Sequence, residues 1–221
     1  IIPQIFLTLL YLKKGKFIKA LEGNHKKQIS QKTSALKDDL GAFLRLCLCI
    51  FSRSIVAFGF SAFFSIYLIK IFGLSKEAAN VNLSMFFAAG AISTLFGGAL
   101  ADRYGLVRLI KIILSIAAPL VVLMLFIDSY ALFLAASMCV SACISLSFSP
   151  SIALAQLYLP NQIGLASGVT LGLSITIGGI FATVIGKIAD IFSLTHSFYF
   201  IAAVSLICAV SSYFLKPVSK I

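Results

Sequence analysis

Residues 84–106 read SMFFAAGAISTLFGGALADRYGL and residues 172–194 read GLSITIGGIFATVIGKIADIFSL. The two stretches align without a gap at an offset of 88. Gly90/Gly178, Ile92/Ile180, Gly98/Gly186, Ala101/Ala189, Asp102/Asp190 and Leu106/Leu194 are identical, and Leu100/Ile188 and Tyr104/Phe192 are near matches. Each copy is an apolar run that ends in a polar turn. Equivalent helices lie three spans apart, an odd number, so the two copies end on opposite faces of a bilayer. That arrangement is a 3+3 inverted repeat.

The rest of the chain agrees. It has 221 residues, 60% of them hydrophobic and only 11% charged, whereas a soluble domain carries about a quarter charged residues. Apolar runs near 44–69, 78–97, 109–127, 130–148, 164–186 and 198–215 approach the roughly 20 residues that cross a bilayer as a helix. They far exceed the roughly 10-residue alternating strands of a membrane barrel. The expected fold is therefore an all-α membrane protein with six transmembrane helices. The opening run, IIPQIFLTLLYL (1–12), is too short to span, and its lysines follow it instead of preceding it, unlike a signal peptide. It reads as the end of a truncated transmembrane helix. A basic linker (13–39) and a six-helix unit (40–221) follow.

The net charge of +11 is distributed by side. Lysines 13, 14, 16, 19, 26, 27, 32 and 37, then Arg103, Arg108, Lys111, Lys216 and Lys220, fall on one side of the expected spans. Only Lys70, Lys76 and Lys187 fall on the other. The positive-inside rule places the 13–39 loop and the C-terminus in the cytoplasm. Topology accounts for the basic balance without a nucleic-acid partner.

The turn after the second span, GGALADRYGLVRLIK (97–111), holds Gly98, Asp102, Arg103 and Gly105. It resembles the G-x-x-x-D-R-x-G-R-R signature of major facilitator transporters. Leu106 and Val107 replace the two basic residues, with Arg108 and Lys111 nearby. RSIVAFGFSAFFSIYL (53–68) and YLPNQIGLASGVTLGLSITIGGI (158–180) further resemble the C-terminal half of fosmidomycin-resistance-type drug efflux transporters. The resemblance implies an inner-membrane proton antiporter whose N-terminal half is missing here. It also implies that the motif acts as a cytoplasmic gating latch.

Candidate working residues follow. Arg53, nine residues into the first expected span, would lie about 14 Å deep at 1.5 Å per residue. Phe60, Phe64 and Tyr67 share its helical face, so the four are expected to line the substrate pathway, with Arg53 attracting an anionic drug. Gly164, Gly168, Gly172, Gly178 and Gly179 are expected to let helices pack closely. None of the seven acidic residues falls inside an expected span, so the proton carrier is expected in the missing half. Five cysteines in apolar helices lack the partners of a metal site. Cys139 and Cys143 are expected to serve packing, and no cofactor or catalytic constellation is indicated. The expected function is small-molecule transport by alternating access across the lipid bilayer. A metabolite uniporter or symporter, or a non-transporting membrane scaffold, would use the same six helices.

Overall fold

The computed structural model describes residues 38–217. The expected helix end at 1–12 and the linker up to residue 37 lie outside them. Among the described residues six helices are long and apolar enough to cross a membrane: α1 (Leu40–Phe72), α2 (Lys76–Tyr104), α3 (Leu106–Met124), α4 (Tyr130–Tyr158), α5 (Ile163–Ile191) and α6 (Leu194–Tyr213).

Local chemistry sets the helix ends. The Asp39 carboxylate accepts from the Ala42 N–H at 2.9 Å and caps α1. Gly73 ends α1 at φ 66°, in the left-handed region that a side chain disfavours. Ser75 caps α2 through the Ala78 N–H. A single residue, Gly105 at φ 86°, joins α2 to α3.

α1 and α4 form the centre, and α3 and α6 lie together behind them. α2 packs on α4 as α5 packs on α1, while α3 meets α4 as α6 meets α1. Exchanging helices one to three with four to six reproduces the pattern of neighbours, as an inverted repeat requires. α2 and α5 make no contact with each other among the described residues. They are also the least covered spans, at 17% and 22% buried against 56% for α6.

The repeat's shared glycines sit at the equivalent interfaces. A Cβ on Gly90 would lie 2.6 Å from Ser145 Oγ of α4, and one on Gly178 would lie 2.4 Å from the Phe58 ring of α1. Lipid is as apolar as leucine, so helix association in a bilayer rests on this close van der Waals approach and not on withdrawal from water.

Two spans depart from regular α-helix along their length. The helix of α4 breaks for one residue at Ser147 and resumes at Phe148. Pro150 therefore falls in a first helical turn, where its absent N–H is not needed. Ser147 and Ser151 hydroxyls donate to the carbonyls of Ile144 (2.7 Å) and Ser147 (2.6 Å), so this polar stretch stays helical. In α5, Gly168–Leu173 is a π-helical segment, with Thr170 Oγ1 donating to Ala166 O at 2.8 Å.

At one end of the bundle the starts and stops of three helices are tied. The Asp39 N–H donates to Tyr158 O, the Tyr158 hydroxyl donates to Lys216 O, and Lys216 Nζ pairs with Asp39 Oδ2 at 3.1 Å. The Ala42 N–H and, after it, Lys216 hold the Asp39 carboxyl below the usual carboxylate range. A depressed value means that the contact stabilises above the ordinary range and is lost as pH falls through the folded-state value. Hydrogen-exchange protection at residues 40–43, relative to the unstructured rate at the same pH, should therefore fall on acidification below the usual carboxylate range. Asp39→Asn, which keeps an acceptor but not the charge, should flatten that dependence.

Candidate functional site

A groove of about 420 Å³ lies between α1, α2 and α4. Ala57, Phe58 and Ser61 line it from α1, Phe86 to Thr94 from α2, and Ser141, Ile144 and Ser145 from α4. It contains no residue of α3 or α6, so it opens on the opposite side of the bundle from that rear layer. Four hydroxyls in a groove at membrane depth do not suit contact with lipid tails.

The backbone holds these groups in place. Ser141 Oγ donates across to Phe86 O of α2 at 2.6 Å. Thr94 Oγ1 donates to Gly90 O at 3.0 Å and approaches Ser145 O of α4 at 3.4 Å. Gly90 leaves room for the Ser141 and Ser145 hydroxyls against its own backbone. Further along α2, the Tyr130 hydroxyl donates to Asn82 Oδ1 at 3.1 Å.

The expected pathway residues lie elsewhere. Phe60 and Phe64 are fully buried and Tyr67 is 6% exposed. They form an aromatic cluster with Phe86, Phe133 and Phe198, with centroid separations from 4.3 Å (Tyr67–Phe198) to 6.2 Å. The groove-facing residues of α1 are about 100° round the helix from that face. Arg53 neither lines the groove nor reaches the membrane surface: it is 7% exposed, thirteen residues after Leu40 and so about 20 Å along the helix. Its guanidinium carbon lies 5.2 Å from the Phe148 ring centroid, and its Nε has no hydrogen-bond partner. It borders a separate void of about 10 Å³ shared with Leu114, Val121, Ser205 and Cys208 of the rear layer.

The motif expected to gate occupies the tied end of α2. Asp102 and Arg103 are exposed, and the Arg103 guanidinium lies 5.7 Å from the Tyr104 ring. Gly98 faces Ser149 of α4, where a Cβ would sit at 3.6 Å, and Gly105 makes the turn. Of the five α5 glycines expected to serve packing, Gly178 meets a neighbouring helix. A Cβ on Gly164, Gly168, Gly172 or Gly179 would meet nothing within 4 Å. Cys139 is exposed and Cys143 half-buried.

Sequence reasoning missed the groove. Its signal was the four-residue spacing of small and hydroxyl positions: Ala57/Ser61, Gly90/Thr94 and Ser141/Ser145.

Comparison with known proteins agrees with this architecture. The profile of the family described as Major Facilitator Superfamily matches residues 46–221. An uncharacterised MFS-type transporter of Bacillus subtilis, YfnC, is 31% identical over 140 residues, 63% of this chain and 34% of that protein. The fosmidomycin resistance protein of Escherichia coli is 30% identical over 145 residues, 66% of this chain and 36% of that protein. The chain thus spans about a third of the length of these relatives. The crystal structure of the transporter FucP in an outward conformation superposes with TM-score 0.72 at 17% identity, covering 84% of this chain and 45% of that one. A second structure, of the Escherichia coli fucose:proton symporter FucP, gives 0.71 at 17% identity over 86% and 45%.

Proposed function

This chain belongs to the Major Facilitator Superfamily, and from that premise we propose that it is the C-terminal half of a proton-coupled drug efflux transporter of the cell membrane. The observation that carries the reading is the groove between α1, α2 and α4, open on the face away from α3 and α6. A second half placed against that face would close it into a cavity near the midplane, where transporters of this kind bind substrate between rocking halves. The bare glycines of α5 and the weakly covered α2, with Phe87, Ile92, Leu95 and Phe96 exposed, leave surface for such a partner.

The tied end with Asp39, Tyr158 and Lys216 is the cytoplasmic end, in keeping with the basic linker and C-terminus. Asp102, Arg103 and Gly105 lie there and serve as the gating turn. Asp102, Asp128 and Asp190 lie at the ends of spans or between them and Glu77 lies in a first turn, so the proton carrier belongs to the other half. The likeness to the fosmidomycin resistance protein supports efflux as the direction.

The test is drug accumulation in cells stripped of their own efflux pumps. The chain alone is compared with the chain joined to an N-terminal half, with and without an uncoupler. Lowered accumulation only in the joined form, restored by the uncoupler, is the expected result. Unchanged accumulation in both despite membrane insertion would remove the efflux reading, and flux indifferent to the uncoupler would replace antiport by a uniporter.

A further inference from the structure

Three of the groove's four hydroxyls, those of Ser61, Thr94 and Ser141, are already used as donors, and Ser145 alone keeps its hydrogen to offer. Ser61 Oγ donates to Phe58 O at 3.0 Å, Thr94 Oγ1 to Gly90 O at 3.0 Å, and Ser141 Oγ to Phe86 O at 2.6 Å. A hydroxyl carries one hydrogen and two lone pairs. With their hydrogens committed to backbone carbonyls, these three groups have only acceptor lone pairs left to offer. Phe58 and the exposed Phe87 add aromatic rings to the lining, a residue type whose face attracts positive charge.

No lysine, arginine, histidine or carboxylate lines the groove. The nearest candidate cation, Arg53, borders the separate rear void, and Ile144 is the one residue common to the two linings. An anion seated in the groove would meet three hydroxyls with only lone pairs to offer, the single donor of Ser145, and aromatic rings in an apolar setting. With no counter-charge, that is the costly case for a buried charge. A cation or a neutral molecule bearing N–H or O–H groups meets the opposite situation.

We infer that this wall selects uncharged or cationic aromatic amphiphiles carrying hydrogen-bond donors, and disfavours anions such as phosphonates. The inference rests on the groove being the substrate-facing wall proposed above. It replaces the anionic substrate expected from Arg53.

The test uses the full 221-residue chain in nanodiscs. Its probes are rhodamine 6G (a cation with two N–H donors), tetramethylrosamine (a cation without them), anilinonaphthalene sulfonate, and the phosphonate fosmidomycin. Rhodamine 6G should bind about fivefold more tightly than tetramethylrosamine, the worth of one net hydrogen bond. Neither anion should displace it at equal concentration. Ser61→Ala with Thr94→Val should erase the difference between the two cations. Ala91→Lys, at an exposed groove position, should weaken rhodamine 6G at least tenfold and admit the sulfonate. Displacement of rhodamine 6G by either anion from the unaltered chain, indifference to both variants, or no binding of any probe overturns the inference.

The same variants in everted vesicles holding the joined form separate the two readings. The expected binding profile without gradient-driven flux sinks the transporter reading and keeps the selectivity. Gradient-driven fosmidomycin flux that Ala91→Lys leaves unchanged does the reverse.

Discussion

Gly97→Val should abolish recovery of folded protein from detergent, or lower its melting transition by the upper end of the roughly 1–3 kcal/mol that overpacking costs. A Cβ at Gly97 would lie 2.6 Å from the Leu146 carbonyl oxygen, and the contact is with backbone, so no rotamer change relieves it. α2 would have to withdraw from α4, the helix on which it chiefly packs. Gly90→Ala meets the Ser145 and Ser141 hydroxyls at 2.6 and 2.9 Å, which can move at some loss of hydrogen bonding, and should cost less. Gly179→Ala meets nothing within 4 Å. It should be neutral or stabilising by up to about 1 kcal/mol, because alanine is the better helix former. Thermal unfolding of the three variants, followed by size-exclusion fluorescence, checks the ranking. A Gly97→Val protein that melts with the unaltered chain would show that α2 and α4 do not approach as described.

Arg53→Leu should stabilise the bundle by about 1–2 kcal/mol. A cation at the centre of a membrane helix costs about 2.5–3.5 kcal/mol on insertion scales. The ion pair seen among the described residues is Asp39–Lys216 and does not involve Arg53. The compensating contact, the guanidinium beside the Phe148 ring, contributes about 0.5–2 kcal/mol. The charge penalty therefore outweighs the aromatic contact. Leucine would leave Nε no longer stranded while still filling most of the space. Because Arg53 borders the rear void and not the groove, the order of probe affinities should not change. A lower melting temperature for Arg53→Leu, or a switched probe order, would contradict this placement.

The helices and their pairing were legible because hydropathy and the 88-residue repeat report on properties each segment carries by itself. Gly90 and Gly178 stand out as identical positions, and the structure gives the reason: each is pressed by the helix that its half of the repeat packs against. The role of the α1 face with Arg53, Phe60, Phe64 and Tyr67 was not legible. In a membrane helix both the face toward the core and the face toward a cavity avoid lipid. A row of aromatics suits either, so a helical wheel groups these residues without naming their neighbour. The fourth expected span ends at 148, where the sequence turns more polar, whereas the helix runs on to Tyr158 with the Ser147 and Ser151 hydroxyls bonded back along it. The four glycines of α5 that touch nothing show the same limit, since spacing identifies a smooth surface and not what rests on it.

The exchange of neighbours between the two triplets also sets a timetable for synthesis. α1 leaves the ribosome first, yet its chief partners are α5 and α6, and Phe72 and Ser174 are about 100 residues apart. At 5–20 residues per second, the first span waits roughly 5–20 s in the bilayer before they arrive. Throughout that interval Arg53 lacks the rear-layer side chains of α6, and the Phe148 ring of α4 is made only late in it. The α2–α4 pair closes sooner, since only α3 intervenes. The bundle therefore assembles from its middle, and the segment with the highest solvation cost stays exposed longest, making α1 the natural point at which an insertase or a quality-control protease would intervene.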